Sequence, residues 1–133
     1  MSVTGKPVAA ETAKDMDARY ASGDFGRAGG NIQSLLFALH AISRLNELPF
    51  FCALGKWSTD DAQVTRMYRF VVHDYGCGEG DGTAAIATLW PGCDVQGYDH
   101  SVAAVERANA RLPALHFDYS DVNSPVGECD IAF

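Results

Sequence analysis

Apolar residues recur every three or four positions through the segment between residues 31 and 49. They are Ile32, Leu35, Leu36, Leu39, Ile42, Leu45 and Leu48. This spacing places them on one face of an α-helix. Asn31 is a suitable N-terminal cap, and Pro49 would end the helix. The pattern therefore predicts a helix with one apolar face over residues 32–48.

The residues around this helix show no such period. Residues 1–23 are polar, and SGDFGRAGGN over residues 22–31 is rich in glycine, so we expect a loosely ordered arm followed by a hinge. Tyr20 is expected to be exposed on that arm. The segment STDDAQVTRMYRF, residues 58–70, has a Ser/Thr cap, early acids and a basic end, which predict a second helix. Residues 1–69 thus form a predicted N-terminal arm and helical region.

From residue 70 onward, apolar runs of strand length alternate with alanine-rich segments. In order they are FVVHDY, TAAIATLW, DVQGYD, SVAAVERANARL, ALHF and CDIAF. The order strand, helix, strand, helix, strand, strand is typical of a parallel α/β sheet. We expect residues 70–133 to form this sheet, and the chain to be one structural domain overall.

Length and composition fit a single globular domain, with 133 residues of which 47% are hydrophobic and 20% charged. No apolar run approaches the roughly 20 residues of a membrane-spanning helix, and the first residues lack the apolar segment of a secretory signal. We therefore expect a cytoplasmic protein without membrane contact. The four cysteines lie far apart without a CxxC pair, which predicts reduced thiols and no metal site.

The formal net charge of −7 is unevenly distributed. Residues 1–69 carry eight basic and seven acidic side chains, whereas residues 70–133 carry two basic and ten acidic ones. An acidic surface repels the phosphates of nucleic acids, whose binding depends on Lys and Arg. A small-molecule or glycan partner is therefore expected rather than a nucleic acid.

The segment VVHDYGCGEGDGTAAIA, residues 71–87, carries the candidate chemistry. Gly76, Gly78 and Gly80 occupy the corner beyond the carboxyl end of the first strand, where ligands of parallel sheets bind. Asp99 closes the second strand about 20 residues later, where an acidic side chain can accept both hydroxyls of a ribose. Together these residues predict a nucleoside ligand.

Two classes of nucleoside cofactor use such a corner. A dinucleotide fingerprint would have to begin at Gly80, four residues after Gly76, and a pyrophosphate would lie beside Asp74, Glu79 and Asp81, whose charges repel it. The acids instead suit an adenosine that carries a cationic sulfonium and ammonium. An NAD-dependent oxidoreductase remains an alternative only through the shared ribose acid.

The segment VHDYGCGEGDGT resembles motif I of class I S-adenosylmethionine-dependent methyltransferases. VQGYDHS, LHFDYSDV and CDIAF are similar to three further motifs of that family, in the same order, so the resemblance covers residues 71–133. It implies a Rossmann-like parallel sheet with flanking helices. Because family members continue through three further strands, the sheet is expected to be incomplete, the chain truncated, and the strand CDIAF prone to self-association.

The resemblance implies roles for the residues of the first motif. Asp74 would orient the methionine amino group, directly or through water. Gly76, Cys77 and Gly78, which follow Tyr75, would supply backbone contacts to the methionine portion of the cofactor. Gly80 would let the next helix begin in close packing.

The later motifs imply the contacts to adenosine. Asp99 would bind the ribose hydroxyls, while His100 would lie against adenine or be an exposed loop histidine. Asp121 would meet the adenine amino group and the Val122 N–H would donate to the ring, with Asp118 as the rival acid.

The function implied is in-line transfer of the sulfonium methyl to an acceptor, with S-adenosylhomocysteine as the product. No residue stands out as a catalytic base. The alternative from another class is a catalytically silent nucleoside-binding or assembly module built on the same half domain.

Overall fold

The computed structural model describes residues 13–49, 70–121 and 126–133. The helix predicted over residues 58–70 and the predicted adenine contact Val122 lie outside these residues. Among the described helices, none is both long enough and apolar enough to cross a bilayer.

Residues 70–133 form a parallel sheet with helices between its strands, as the alternating pattern predicts. The strands are β1 (Val71–Tyr75), β2 (Asp94–Asp99), β3 (His116–Tyr119) and β4 (Ile131–Ala132). All described pairings are parallel, in the order β3-β2-β1-β4. One helix joins β1 to β2 (Asp81–Leu89) and another joins β2 to β3 (Val102–Arg111). The predicted Rossmann-like α/β fold is confirmed.

Three helices precede the sheet. They are α1 (Ala13–Ser22), α2 (Asp24–Arg27) and α3 (Gly30–Leu45), so the two helices between the strands are α4 (Asp81–Leu89) and α5 (Val102–Arg111). The central core lies where α3 and α4 pack on β1. Its most deeply buried members are Ile42, Val72, Ile86 and Trp90, each at most 1% exposed, and burying such side chains contributes about 1.5–3 kcal/mol each.

The register of β1 against β2 positions the acidic residues. Asp74 lies opposite Gly97, and Tyr75 lies opposite Tyr98. Asp99 therefore extends one residue past the end of β1, so the two carboxylates share one edge of the sheet. On the opposite flank, β4 pairs with β1 at Val72 and His73. The predicted self-association through this strand stays a prediction.

The prediction of a loosely ordered arm is wrong for residues 13–22, which form α1. The helix lacks an apolar period because polar contacts attach it to the sheet. Asp17 accepts hydrogen bonds from the Ser101 hydroxyl at 2.8 Å and the Ala103 N–H at 2.9 Å, at the N-terminus of α5. The predicted hinge contains the short helix α2, between Gly23 and Gly29, both in the left-handed conformation.

Helix α3 also differs from the prediction in its ends and its buried face. Gly29, rather than Asn31, is the N-terminal cap, and the helix ends at Leu45, before Pro49. The helix packs through Ala38 and Ile42. The predicted apolar stripe is largely exposed, with Ile32 at 63%, Leu35 at 37%, Leu36 at 58% and Leu39 at 38%.

The close approach of α3 to α4 explains this difference. A Cβ atom placed on Gly82 would lie 3.3 Å from the Ser34 carbonyl oxygen and 3.5 Å from the Ala38 Cβ. Small side chains at the contact let the two backbones approach. The larger residues Ile32 and Leu36 remain exposed.

Candidate functional site

The loop between β1 and α4 contains three glycines in the left-handed conformation, with φ values of 75°, 56° and 90° at Gly76, Gly78 and Gly80. Their surroundings differ. A Cβ on Gly76 would meet no atom within 4 Å, whereas a Cβ on Gly80 would lie 2.6 Å from the Phe117 ring. The first glycine leaves its backbone open to a ligand. Gly80 permits the close packing predicted for it.

The N–H groups of this loop are already used within the chain. Those of Gly76 and Cys77 donate to the Tyr98 carbonyl oxygen at 2.8 and 3.0 Å. The Gly78 N–H donates to Asp99 Oδ2 at 2.8 Å. The backbone contacts predicted between these residues and a cofactor stay a prediction, and their N–H groups already have acceptors within the chain.

Asp99 is held at the end of β2 by two backbone groups. Its Oδ2 accepts from Gly78 N–H, and its Oδ1 accepts from Ser101 N–H at 2.9 Å. The side chain is 4% exposed. Because a carboxylate offers about four acceptor sites, each oxygen retains capacity for a hydroxyl donor. His100 lies beside it with Nδ1 3.5 Å from Oδ1, and its side chain is 38% exposed.

Asp74 lies at the same edge of the sheet, in a less hydrogen-bonded environment. The Thr83 hydroxyl donates to its Oδ2 at 2.6 Å. Burial raises the pKa of this carboxyl above its ordinary value, the Thr83 hydrogen bond opposes that shift, and the negative charge of Asp99 adds to it. A cation placed beside Asp74 would relieve both the burial and the repulsion.

A cavity of about 350 Å³ opens next to Asp74. Its walls come from α3, the end of β1, the glycine loop, α4 and the residue after β4. The lining residues are Gln33, Ser34, Phe37, Ala38, Asp74, Tyr75, Gly76, Cys77, Gly82, Ile86 and Phe133. The cavity thus gathers Asp74, Tyr75, Gly76 and Cys77 of the predicted set. Sequence patterns gave no sign of the α3 residues.

The other two acids of the glycine loop point to a different partner, which corrects the interpretation that they select the ligand. Arg111 donates to Glu79 Oε2 at 3.2 Å and to both oxygens of Asp81 at 3.0 Å. Glu79 is 4% exposed and also accepts from Asn31 Nδ2 at 2.9 Å. These carboxylates hold α5 and α3 on the loop. Their charge is neutralised within the protein.

The expectation that Tyr20 is exposed is wrong, because it is 4% exposed. Its hydroxyl oxygen would lie 2.9 Å from a Cβ on Gly78, and its ring packs on Phe25 with centroids 4.5 Å apart. Burial, and then the charge of Asp99, raise the pKa of its hydroxyl. Tyr20 therefore covers the glycine loop on the side where Asp99 binds it.

The residues predicted to meet adenine lie at the end of β3. The Ser120 N–H donates to the backbone oxygen of Asp99 at 3.0 Å, so Asp121 follows at the same edge of the sheet. Asp121 and its rival Asp118 are both exposed, and the choice between them stays a prediction. Within the described ranges, no three His, Cys, Asp or Glu side chains are grouped to hold a metal ion.

Curated proteins similar to this chain share one name, trans-aconitate 2-methyltransferase. The protein of Methylobacterium radiotolerans is 50% identical over 48 residues, which are 36% of this chain and 18% of that protein. The protein of Deinococcus radiodurans is 39% identical over 69 residues, 51% of this chain and 26% of the relative. The chain therefore spans about a quarter or less of the length of these relatives. No protein-family model matches it.

Two methyltransferases are among the solved structures that match this chain. The plantazolicin methyltransferase BpumL, in complex with a pentazolic desmethylPZN analog and SAH, has a TM-score of 0.42 and 19% identity, over 90% of this chain and 47% of that one. Coclaurine N-methyltransferase, bound to N-methylheliamine and SAH, has a TM-score of 0.39 and 15% identity, over 91% and 48%. TM-scores this low establish neither a fold nor a ligand, so the fold is defined by the sheet itself.

The sheet order and the helices between its strands define a Rossmann-like α/β unit. Within that class, the sequence similarity is to methyltransferases. The predicted resemblance to class I S-adenosylmethionine-dependent methyltransferases is thus confirmed for the matched part of the chain.

Proposed function

We propose that this part of the chain binds S-adenosylmethionine and that the protein containing it transfers the methyl group to an acceptor. The observation that carries the proposal is the acceptor-rich corner at the ends of β1 and β2. The carboxylates of Asp74 and Asp99 lie there at one edge of the sheet, while the N–H groups of Gly76, Cys77 and Gly78 already donate within the chain. A nucleoside with a cationic tail suits these groups.

The same corner argues against a dinucleotide. A pyrophosphate binds to free N–H groups of the loop and of the following helix N-terminus. Here three loop N–H groups donate to Tyr98 and Asp99, and Gly82 in the first turn of α4 packs under the Ser34 carbonyl oxygen. The N–H groups of Gly76, Cys77 and Gly78 are therefore already used within the chain, which disfavours a phosphate at this part of the loop.

Each residue has a defined task in this proposal. Asp99 accepts from the ribose hydroxyls, Asp74 binds the ammonium group, and the open face of Gly76 lets the ligand approach the backbone. When bound, S-adenosylmethionine supplies an electrophilic methyl on a sulfonium. The contribution of these side chains is to orient the ligand, and fixed orientation accounts for a large part of the acceleration of such reactions.

We further propose that the acceptor is a small molecule or a glycan. The acidic side chains of residues 70–133, ten against two basic ones, disfavour a bound nucleic acid. Trans-aconitate is the acceptor named for the curated relatives. It is one candidate to be assayed.

The first experiment is calorimetric titration of the chain with S-adenosylhomocysteine, with Asp99→Asn and Asp94→Asn as a matched pair. Both acids lie on β2, at opposite ends. Asp99→Asn should weaken binding by about 1–3 kcal/mol, the range for hydrogen bonds to a charged group. Asp94→Asn should leave the dissociation constant unchanged.

Circular dichroism and thermal unfolding of each variant establish that it is folded. Equal affinity in both variants would contradict the ribose assignment. If the folded chain binds NAD and does not bind S-adenosylhomocysteine, the oxidoreductase would be favoured. Saturable binding of S-adenosylmethionine by the full-length protein, without product from any acceptor tested, would favour the silent binding module.

A further inference from the structure

The cavity beside Asp74 has two walls of opposite hydrogen-bonding character. The wall formed by β1 and the glycine loop contains the Asp74 carboxylate, a hydrogen-bond acceptor. Another wall is α3, which contributes Gln33 and Ser34. A Gln amide carries two N–H donors and a Ser hydroxyl one. Helix α3 therefore brings neutral donors to the cavity that Asp74 lines.

The two walls are held close together. The Ser34 carbonyl oxygen and Asp74 Oδ2 would lie 3.3 and 3.7 Å from the same Cβ atom placed on Gly82. At its start, α3 is attached to the glycine loop by the hydrogen bond from Asn31 to Glu79. Gln33 and Ser34 thus line the same cavity as Asp74, with the Ser34 backbone close to it.

These side chains have capacity to bind a ligand. No described residue is hydrogen-bonded to the Gln33 amide or the Ser34 hydroxyl. Among the described side chains that line the cavity, Asp74 is charged and none is a lysine, arginine or histidine. An anionic group that enters must therefore be bound by neutral donors.

An α-amino acid fits this pairing, because its ammonium and carboxylate are attached to one carbon. We propose that Gln33 and Ser34 bind the carboxylate of the methionine portion of the cofactor, while Asp74 binds its ammonium. The inference rests on the proposed function and deepens it. It assigns α3, outside every motif of the resemblance, a direct part in the cofactor site.

The test compares two ligands that differ only in the carboxylate. S-adenosylhomocysteine carries it, and its decarboxylated analogue, S-adenosyl-3-thiopropylamine, does not. By calorimetry the wild-type chain should bind S-adenosylhomocysteine about tenfold more tightly than the analogue. In Gln33→Ala/Ser34→Ala this preference should fall to about twofold or less, through loss of affinity for S-adenosylhomocysteine alone.

Two further variants separate a binding role from a structural one. His40→Ala, on an exposed position of the same helix, should preserve both affinities. Gln33→Glu retains the size of the side chain and should reverse the preference, because its charge repels a carboxylate. This single variant also serves if the double variant does not fold.

The outcomes distinguish the inference from the function on which it rests. If the folded wild-type chain binds neither ligand, the proposed function fails and the inference with it. If it binds S-adenosylhomocysteine, and the Gln33 and Ser34 variants retain the wild-type preference, the inference alone is overturned.

Discussion

The loop between β1 and α4 has two halves that meet different surroundings. The first half, residues 74–78, borders the cavity, and its Gly76 backbone is open. The second half, residues 79–82, is packed under Phe117 and Ser34 and ion-paired to Arg111. Glycines and acids occur in both halves, so residue type alone does not separate ligand contact from structural support. The neighbours of each residue do.

The largest expected effect concerns one glycine in each half, Gly80 in the second and Gly76 in the first. Gly80→Ala places a methyl 2.6 Å from Phe117 in a left-handed conformation, and should lower the free energy of unfolding by about 2–4 kcal/mol. Gly76→Ala has the same backbone strain without the clash, and should cost about 1–2 kcal/mol. Urea unfolding measures both. If Gly80→Ala and Gly76→Ala lower the free energy of unfolding equally, the two halves do not differ in packing as described.

The ion pairs of the second half give the next effect. Arg111→Met leaves the buried Glu79 carboxylate with less compensation, and should destabilise the chain by about 2 kcal/mol. The exposed pair of Arg44 with Glu47, 3.0 Å long, provides the control. Arg44→Met should change stability by about 0.5 kcal/mol or less. A large loss of S-adenosylhomocysteine affinity in folded Arg111→Met, with stability unchanged, would mean that these acids belong to the ligand site.

Removing the charge of Asp74 in the first half should stabilise the free chain, whereas Arg111→Met destabilises it. Burial raises the pKa of Asp74 in the folded state, so the folded state binds the carboxyl proton more readily than the unfolded state does. The free energy of unfolding therefore falls as pH rises through the interval between the unfolded-state and folded-state pKa values of this carboxyl. Asp74→Asn should therefore make the free chain slightly more stable at pH 7 than the wild type. It should also weaken S-adenosylhomocysteine binding about tenfold.

Urea unfolding of both proteins at pH 7 and at pH 5 measures this effect. The stability difference in favour of Asp74→Asn should be smaller at the lower pH, because the raised pKa of Asp74 makes its ionised form less populated in the folded state as pH falls. If Asp74→Asn is less stable than the wild type at pH 7, the buried Asp74 carboxylate does not lower the free energy of unfolding, and the prediction is wrong.

The sheet was predictable because its signals are local. Segments of strand length such as VVHDY and DVQGYD alternate with alanine-rich segments, and Asp99 and Gly76 occupy positions fixed by the ends of those strands. The same reasoning failed at α1, whose stability depends on Asp17 reaching Ser101 and Ala103. No periodicity along the chain encodes a partner 84 residues away.

The cavity wall was missed for a related reason. On α3 the large apolar residues gave the strongest pattern, yet Ala38 of this helix packs against Gly82 of α4, and Gln33 and Ser34 line the cavity that Asp74 also lines. Thr83 could have been suspected, since it is a hydroxyl in the first turn after the glycine loop. The roles of Glu79 and Asp81 depend on Arg111, which becomes a neighbour only when α5 packs.

The contact of Asp17 with the start of α5 also bears on the order in which the chain assembles. The strands β1 and β2 pair residues only about 23 positions apart, whereas Asp17 must close a loop of 84 residues to reach Ser101. The longer closure costs about 1 kcal/mol more in chain entropy. Pairing of β1 with β2 is therefore favoured as an early folding event, and docking of α1 as a late one that fastens a sheet already formed.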